Sequence, residues 1–367
     1  MRSLVAPSFG DPSVYDVVDF PTPIITSPTQ VLIKVAAASI NGHDIVMASG
    51  KTKMVQSLPL PYPIGLDFAG TILELGAEVT AFAKGDEVYG FTAKGGAAST
   101  HLLLDTRHRD AAFAKIPKGL TMVEAASLPA VAITAATALK RADEYFKSLS
   151  SSSETSGLQG KTVFIPGALS GVGSIALQIA KHQYNCRTLT AVSTSKLPLI
   201  EKSLGEGVVD QAIDYTVQTD IVTAIGKGTV DFVLDTTGLA ADYLPLLRRS
   251  GLCLSIARLP PGSALKNEDP DAPAQSRVAC IGQNVMDGLD AAFRAWAKTR
   301  WGVVYVYQKT EPRSEDVEEV SGLVGKGWVR PVVGRTVGLE DEEGVREGCM
   351  QMFKGKGGVG KFVITAE

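Results

Sequence analysis

The sequence predicts an α/β chain of two domains, a β-rich, partly open barrel followed by a doubly wound parallel sheet. Two observations predict it. The first 125 or so residues carry strand-like runs punctuated by Gly and Pro, with helical spacing nearly absent. After about residue 160, short apolar runs alternate with helical spacing, which argues for a parallel sheet wrapped by helices. A chain of 367 residues has room for two such cores.

In order, Val31–Ile40, Ile64–Glu74 and Glu87–Phe91 read as strands of the barrel. Turn signals stand at Pro21-Thr22-Pro23, Pro59–Pro63 and Lys94-Gly95-Gly96. Val123–Tyr145 is alanine-rich and reads as one helix. Ser148–Ser156 holds six serines in nine residues, a composition that cannot bury a core and reads as an exposed loop. Five strands of the parallel sheet follow at Thr162–Ile165, Thr188–Val192, Ala212–Tyr215, Asp231–Asp235 and Leu252–Ala257. The sixth is Val303–Tyr307, after a Pro/Asp-rich loop at Pro260–Pro273. From Val332 the chain returns to β character and is expected to rejoin the barrel. The expected division is therefore 1–125 completed by 332–367, and 126–331, with the substrate cleft between the two.

Composition excludes several classes. At 45% hydrophobic and 20% charged the chain is an ordinary globular protein. A net charge of −3 gives no electrostatic case for nucleic acid or an anionic membrane. No apolar run is long enough to insert into a bilayer, and Met1–Pro7 lacks the apolar stretch of a signal peptide, so a cytoplasmic location is expected. Cys186, Cys253, Cys280 and Cys349 are too far apart for zinc-knuckle spacing and read as free thiols of a reducing compartment.

Chemistry concentrates at Pro166-Gly167-Ala168-Leu169-Ser170-Gly171-Val172-Gly173. It joins the first parallel strand to a helix whose Val172, Ile175, Ala176, Ile179 and Ala180 form one apolar stripe. Such a strand, glycine turn and helix cradles a dinucleotide pyrophosphate, because backbone N–H groups and the helix N-terminus favour negative charge. The G-x-G-x-x-G slots hold Ala168, Ser170 and Gly173, and the Ser170 hydroxyl is able to bond a phosphate oxygen. An acid at the end of the second strand would bind ribose hydroxyls and repel a 2′-phosphate. From Thr188 to Lys196 there is none. Ser193, Thr194 and Ser195 offer neutral donors and Lys196 a positive charge, so NADPH is the expected cofactor.

Gly76-x-x-Val79-x-x-Phe82-x-x-Gly85-Asp86-x-Val88-x-Gly90 resembles the barrel signature of the medium-chain dehydrogenases/reductases. Ala125-Ala126-Ser127-Leu128-Pro129 with Thr134-Ala135 is similar to the domain junction of their zinc-free, quinone oxidoreductase-like branch. Gln178-x-Ala180-Lys181, Asp214-Tyr215 and Gly360-Lys361-Phe362-Val363-Ile364 continue the resemblance to the end of the chain. It implies a GroES-like barrel and a Rossmann domain, with hydride passing from NADPH to a quinone or to the β-carbon of an enone or alkenal. Asn41 and Asp44 match the segment lining the nicotinamide cleft, and Thr134 a threonine near the nicotinamide; these three are the candidate catalytic residues. Tyr215 matches a residue on the adenine side, Thr237 and Gly238 the segment over the nicotinamide ribose, and Lys361 a C-terminal lysine of variable cofactor contact.

The zinc branch needs a catalytic Cys, a His-Glu pair and a four-cysteine lobe. The corresponding places here read Asn41-Gly42-His43-Asp44 and Gly65-Leu66-Asp67, with no cysteine before Cys186, so no metal is expected. His43, Lys51, Tyr62 and Thr134 are the candidate proton donors, Lys51 and Tyr62 being expected at the surface. Two further readings stay open: a trans-acting enoyl reductase of a polyketide pathway, and a non-catalytic NADPH-binding regulatory protein. By analogy with relatives, a homodimer would pair through Val303–Tyr307.

Overall fold

A computed structural model describes residues 1–53, 58–107, 111–149, 157–265, 277–311, 313–355 and 358–366. Its contacts divide the chain into two units, residues 1–53, 58–133 and 311–367 against 54–57 and 134–310. Most of the Ser148–Ser156 loop and of the later half of Pro260–Pro273 lies outside the described residues.

The first unit opens with β1 (Arg2–Ala6), β2 (Asp16–Asp19), β3 (Gln30–Ile40), α1 (Gly42–Ala48), β4 (Tyr62–Pro63), β5 (Asp67–Leu75), β6 (Glu87–Thr92), β7 (His101–Asp105), β8 (Ala111–Lys115) and α2 (Met122–Ala126). α3 (Pro129–Ser148) carries the chain into the second unit. β2-β1-β4 form one sheet; β3 is the hub of the other, pairing antiparallel with β5 and β7. Alternate residues of β3, among them Val31, Ile33 and Val35, point into a core with Leu4, Phe68, Ile72 and Phe113, as the period of two requires.

The second unit continues with β9 (Thr162–Phe164), α4 (Gly171–His182), β10 (Arg187–Val192), α5 (Ile200–Leu204), β11 (Gln211–Asp214), α6 (Ile221–Ile225), β12 (Val230–Asp235), α7 (Ala240–Tyr243), β13 (Leu247–Ser255), α8 (Arg277–Trp301) and β14 (Val304–Tyr307). Its sheet runs β11-β10-β9-β12-β13-β14 with every pair parallel. The strand order reverses between β9 and β12, and the carboxyl ends beside that switch point are where such sheets bind ligands. Phe164, Leu189, Val233 and Tyr305 build the core on one face. The chain closes with α9 (Ser314–Gly325), β15 (Val333–Gly338), α10 (Glu342–Phe353) and β16 (Lys361–Thr365), and β16 pairs with β3 in the barrel sheet.

Several elements differ from expectation. The strand expected over Ile64–Glu74 starts only at Asp67, because Gly65 takes φ +96° and turns the chain. The alanine-rich helix is two helices. Thr121 caps α2 in a box with Glu124, and Ser127-Leu128 separate it from α3, which starts on Pro129. The tail holds a helix, α10, that its β reading missed. Gly344 and Gly348 depress its helix propensity, and Gly348 is there because a Cβ would lie 2.4 Å from the Phe362 ring. Among the described residues no helix is long and apolar enough to cross a membrane.

Candidate functional site

The turn after β9 is held by backbone contacts. Gly167 N donates to Ala191 O at 2.9 Å and Ser170 N to Gly167 O at 2.8 Å. Ser170 is the N-cap of α4, its Oγ accepting from Gly173 N at 3.1 Å. A Cβ on Gly173 would stand 2.3 Å from Gly167 O, so only glycine lets the helix approach the strand this closely. Ala168 and Leu169 turn their side chains inward, whereas Ser170, Gly171 and Val172 are half-buried at the helix start. The N–H groups of that first turn have no acceptor within the helix, which suits them to an anion. The slots filled by Ala168 and Ser170 therefore keep the cradle: one side chain points away from it and the other caps the helix.

At the end of β10, Ser193 caps a short 3-10 helix over Thr194–Leu199, with Ser193 Oγ 3.4 Å from Ser195 Oγ. Lys196 lies in its last turn, its N–H donating to Ser193 O at 2.9 Å. The fold adds an acid that the linear segment lacks. Asp214, the last residue of β11, accepts from Thr194 Oγ1 at 2.6 Å and from the Thr216 N–H and hydroxyl. These hydrogen bonds, Thr194's first, hold its carboxyl below the usual range. Tyr215 follows, 49% exposed, anchored by its N–H to Val192 O.

Beyond β12 a buried acid organises the next turn. Asp235 Oδ1 accepts from the N–H of Thr237, Gly238 and Leu239 and from Thr237 Oγ1, while Oδ2 accepts from Ser255 Oγ at 2.7 Å. Thr237 and Gly238 are thus fixed at the carboxyl edge of the sheet. Thr134 is nearly buried on α3; its hydroxyl is 2.8 Å from Thr310 Oγ1 and its carbonyl accepts from Gln308 Nε2 at 3.1 Å.

The first unit brings Asn41 and Lys361 together around Asp67. Asp67, fully buried, accepts through Oδ2 from Ser39 Oγ and Asn41 Nδ2, both at 2.9 Å, and from Lys361 Nζ at 3.2 Å. Its Oδ1 accepts from Ala130 N at 2.8 Å, and Lys361 Nζ also donates to Asn41 Oδ1. Asp44 stands apart from this contact. At the third position of α1 it accepts from Asn41 N at 2.8 Å and Gly65 N at 2.9 Å, so it holds Asn41's backbone in place. Desolvation raises its carboxyl to about 7, against the lowering effect of those two N–H groups.

Of the candidate proton donors, His43 is exposed on α1, and Lys51, exposed, lies 5.4 Å from the Phe353 ring centroid. Tyr62 is buried, correcting the expected surface position, and burial pushes its phenol up. Asp67, Asp214 and Asp235 organise the surroundings of the candidate residues and were not among the sequence-predicted site residues. The signal for Asp67 and Asp235 was an acid inside an apolar run, which stays charged in a core only with partners. Among the described residues no group of three or more His, Cys, Asp or Glu is placed to hold a metal ion.

Residues 27–129 match the alcohol dehydrogenase GroES-like domain, and residues 209–364 the zinc-binding dehydrogenase family. The chain is 35% identical over 242 residues to 2-methylene-furan-3-one reductase of Solanum lycopersicum, covering 64% of this chain and 56% of the relative. It is 34% identical over 240 residues to the chloroplastic NADPH-dependent alkenal/one oxidoreductase of Arabidopsis thaliana, covering 64% and 57%. These matches span little more than half the length of those two relatives. The quinone oxidoreductase from Coxiella burnetii shares the fold over the whole chain, with TM-score 0.74 and 24% identity, covering 99% of that structure. With a GroES-like barrel, a parallel sheet in Rossmann order and both matched families in sequence, the chain belongs to the medium-chain dehydrogenases/reductases.

Proposed function

We propose that the chain is an NADPH-dependent oxidoreductase that reduces a quinone or an α,β-unsaturated carbonyl without zinc. The observation that carries this reading is the Gly167–Gly173 cradle, capped by Ser170 and too close-packed for any side chain at Gly173. A nicotinamide dinucleotide fits it, and the names of the tomato and Arabidopsis relatives support reduction of enones and alkenals. In this reading Gly171 and Val172 N–H bind the pyrophosphate. Ser193, Ser195 and Lys196 take the 2′-phosphate, with Tyr215 beside the adenine. Asp214, held ionised by its hydrogen bonds from Thr194 and Thr216, opposes that phosphate, so in this reading the positive charge of Lys196 outweighs it. Thr237 and Gly238, locked by Asp235, flank the ribose, and Thr134 orients the carboxamide. Bound there, NADPH supplies a hydride at C4 of its nicotinamide. The residues of the chain orient it, exclude water and provide donors for the oxyanion left on the acceptor. Asn41, with its amide fixed by Asp67 and Lys361, is a candidate donor of this kind.

The four cysteines, all free thiols, suit a reducing compartment such as the cytosol. Two copies are proposed to pair through β14, the last strand in the sheet order.

The test is NADPH consumption with a panel of quinones, enones and alkenals, alongside binding of NADPH and NADH. The reading expects turnover on at least one acceptor class and, in Lys196→Ala, an NADPH KM raised about tenfold with the NADH KM little changed. Tight NADPH binding with no turnover on any acceptor overturns the enzyme assignment; an equal rise in both KM values overturns the 2′-phosphate contact.

A further inference from the structure

One of the two matched families is named for zinc, and the resemblance places Asn41-Gly42-His43-Asp44 and Gly65-Leu66-Asp67, Asn41 and Asp67 among them, where the zinc branch carries its catalytic Cys and His-Glu pair. In this chain the side chains of Asn41 and Asp67 hold a cation of the chain's own. Lys361 Nζ donates to Asn41 Oδ1 and lies 3.2 Å from Asp67 Oδ2, and the lysine side chain is only 6% exposed. Ser39 Oγ completes the surround at 2.9 Å from the same carboxylate oxygen. The donors Asp67 Oδ2, Asn41 Oδ1 and Ser39 Oγ are hard oxygens of the kind that take small inorganic cations, not the thiolate and imidazole set of zinc. The only carboxylate in the cluster is already compensated. Asp44 makes no hydrogen bond to Lys361; its oxygens accept from the N–H groups of Asn41 and Gly65, and it feels the cluster only through the charges of Asp67 and Lys361. A divalent ion among these oxygens would meet a buried ammonium at hydrogen-bond range, where repulsion is poorly screened.

We infer that Lys361 is a tethered cation that takes the place of a metal ion: its ammonium neutralises Asp67, fixes the Asn41 amide in one orientation and closes the site to divalent metals. The inference is independent of which acceptor is reduced and of which dinucleotide binds.

Lys361→Ala in the full-length chain leaves a small vacancy lined by these three oxygens. Its melting temperature falls, and millimolar methylammonium or Mn²⁺ restores about 5 °C while wild type does not respond. The Asp67→Asn/Lys361→Ala double variant loses the response along with the carboxylate. If Lys361→Ala does not fold unaided, refolding yield with either cation reads the same quantity. Two results overturn the inference. One is that Lys361→Ala responds no better than wild type, in melting or in refolding. The other is that wild type binds one equivalent of Mn²⁺, read by electron paramagnetic resonance, and Asp67→Asn abolishes it.

Discussion

The phosphate cradle and the Asn41–Asp67–Lys361 cluster place polar groups by opposite means. From Gly167 to Gly173 the cradle is one continuous stretch, shaped by backbone bonds, one serine cap and a glycine that admits close approach. The cluster draws Ser39 from β3, Asn41 from the cap of α1, Asp67 from β5 and Lys361 from β16, with Asn41 and Lys361 320 residues apart. The cradle presents N–H groups left over by helix geometry and carries no charged side chain. The cluster confines a full charge pair, and each partner is what makes burial of the other tolerable. A backbone site should therefore fail when sterics change, and a side-chain site when its charge balance changes.

The largest effect expected is Asp67→Ala. It strands a buried ammonium and leaves Asn41 Nδ2, Ser39 Oγ and Ala130 N without their acceptor, at a cost of about 3–5 kcal/mol in denaturant unfolding. Replacing Asp67 and Lys361 together by apolar residues is expected to recover much of it; if the double variant is no more stable than the single, the ion pair is not what holds the region. Next comes Gly173→Ala, which forces helix and strand apart and should cost about 1–3 kcal/mol together with most dinucleotide affinity. Unchanged affinity by fluorescence titration would break the assignment of the cradle.

Asp44→Asn ranks third. The amide accepts from one N–H and turns its own NH₂ toward the other, for a loss of about 1–3 kcal/mol. It also carries a pH signature. The Asp44 carboxyl is raised in the fold to about 7 from an ordinary 3.8, so its favourable contribution is complete below about pH 4 and is lost as pH rises through about 7. Melting curves across that range should flatten in the variant, and an unchanged slope would assign the pH dependence elsewhere. Ser170→Ala is the mildest, about 1 kcal/mol for one lost cap on α4, with a modest fall in dinucleotide affinity. An affinity loss as large as that of Gly173→Ala would mean that Ser170 contacts the phosphate directly.

Legibility followed the same division. The cradle was readable because its strand, turn and helix are contiguous, and its period and glycine placement need no partner from elsewhere. The strands of the parallel sheet were readable to within a residue or two for the same reason, apart from β13, which starts five residues earlier than expected. α10 was obscured because its glycines serve packing rather than helix propensity, Gly348 against Phe362 of β16 and Gly344 against Asp341 and against Val337 of β15. Asp214 was invisible as a neighbour of the ribose-end segment because β10 and β11 meet only in the sheet, where Val192 pairs with Asp214.

Composition, strand alternation and the glycine turn determined from sequence alone that the chain is an α/β protein with a barrel and a doubly wound sheet, and that a glycine turn joins its first parallel strand to a helix. Those features rest on local periodicity and on backbone geometry, which short segments encode by themselves. Only the tertiary structure decided that Asn41 and Lys361 share one carboxylate, that Asp44 serves the backbone, that Asp235 fixes Thr237 and Gly238, and that Tyr62 is buried. Each depends on which charged or polar group a residue meets after burial. That is set by strand pairing across hundreds of residues and leaves no periodic trace in the sequence.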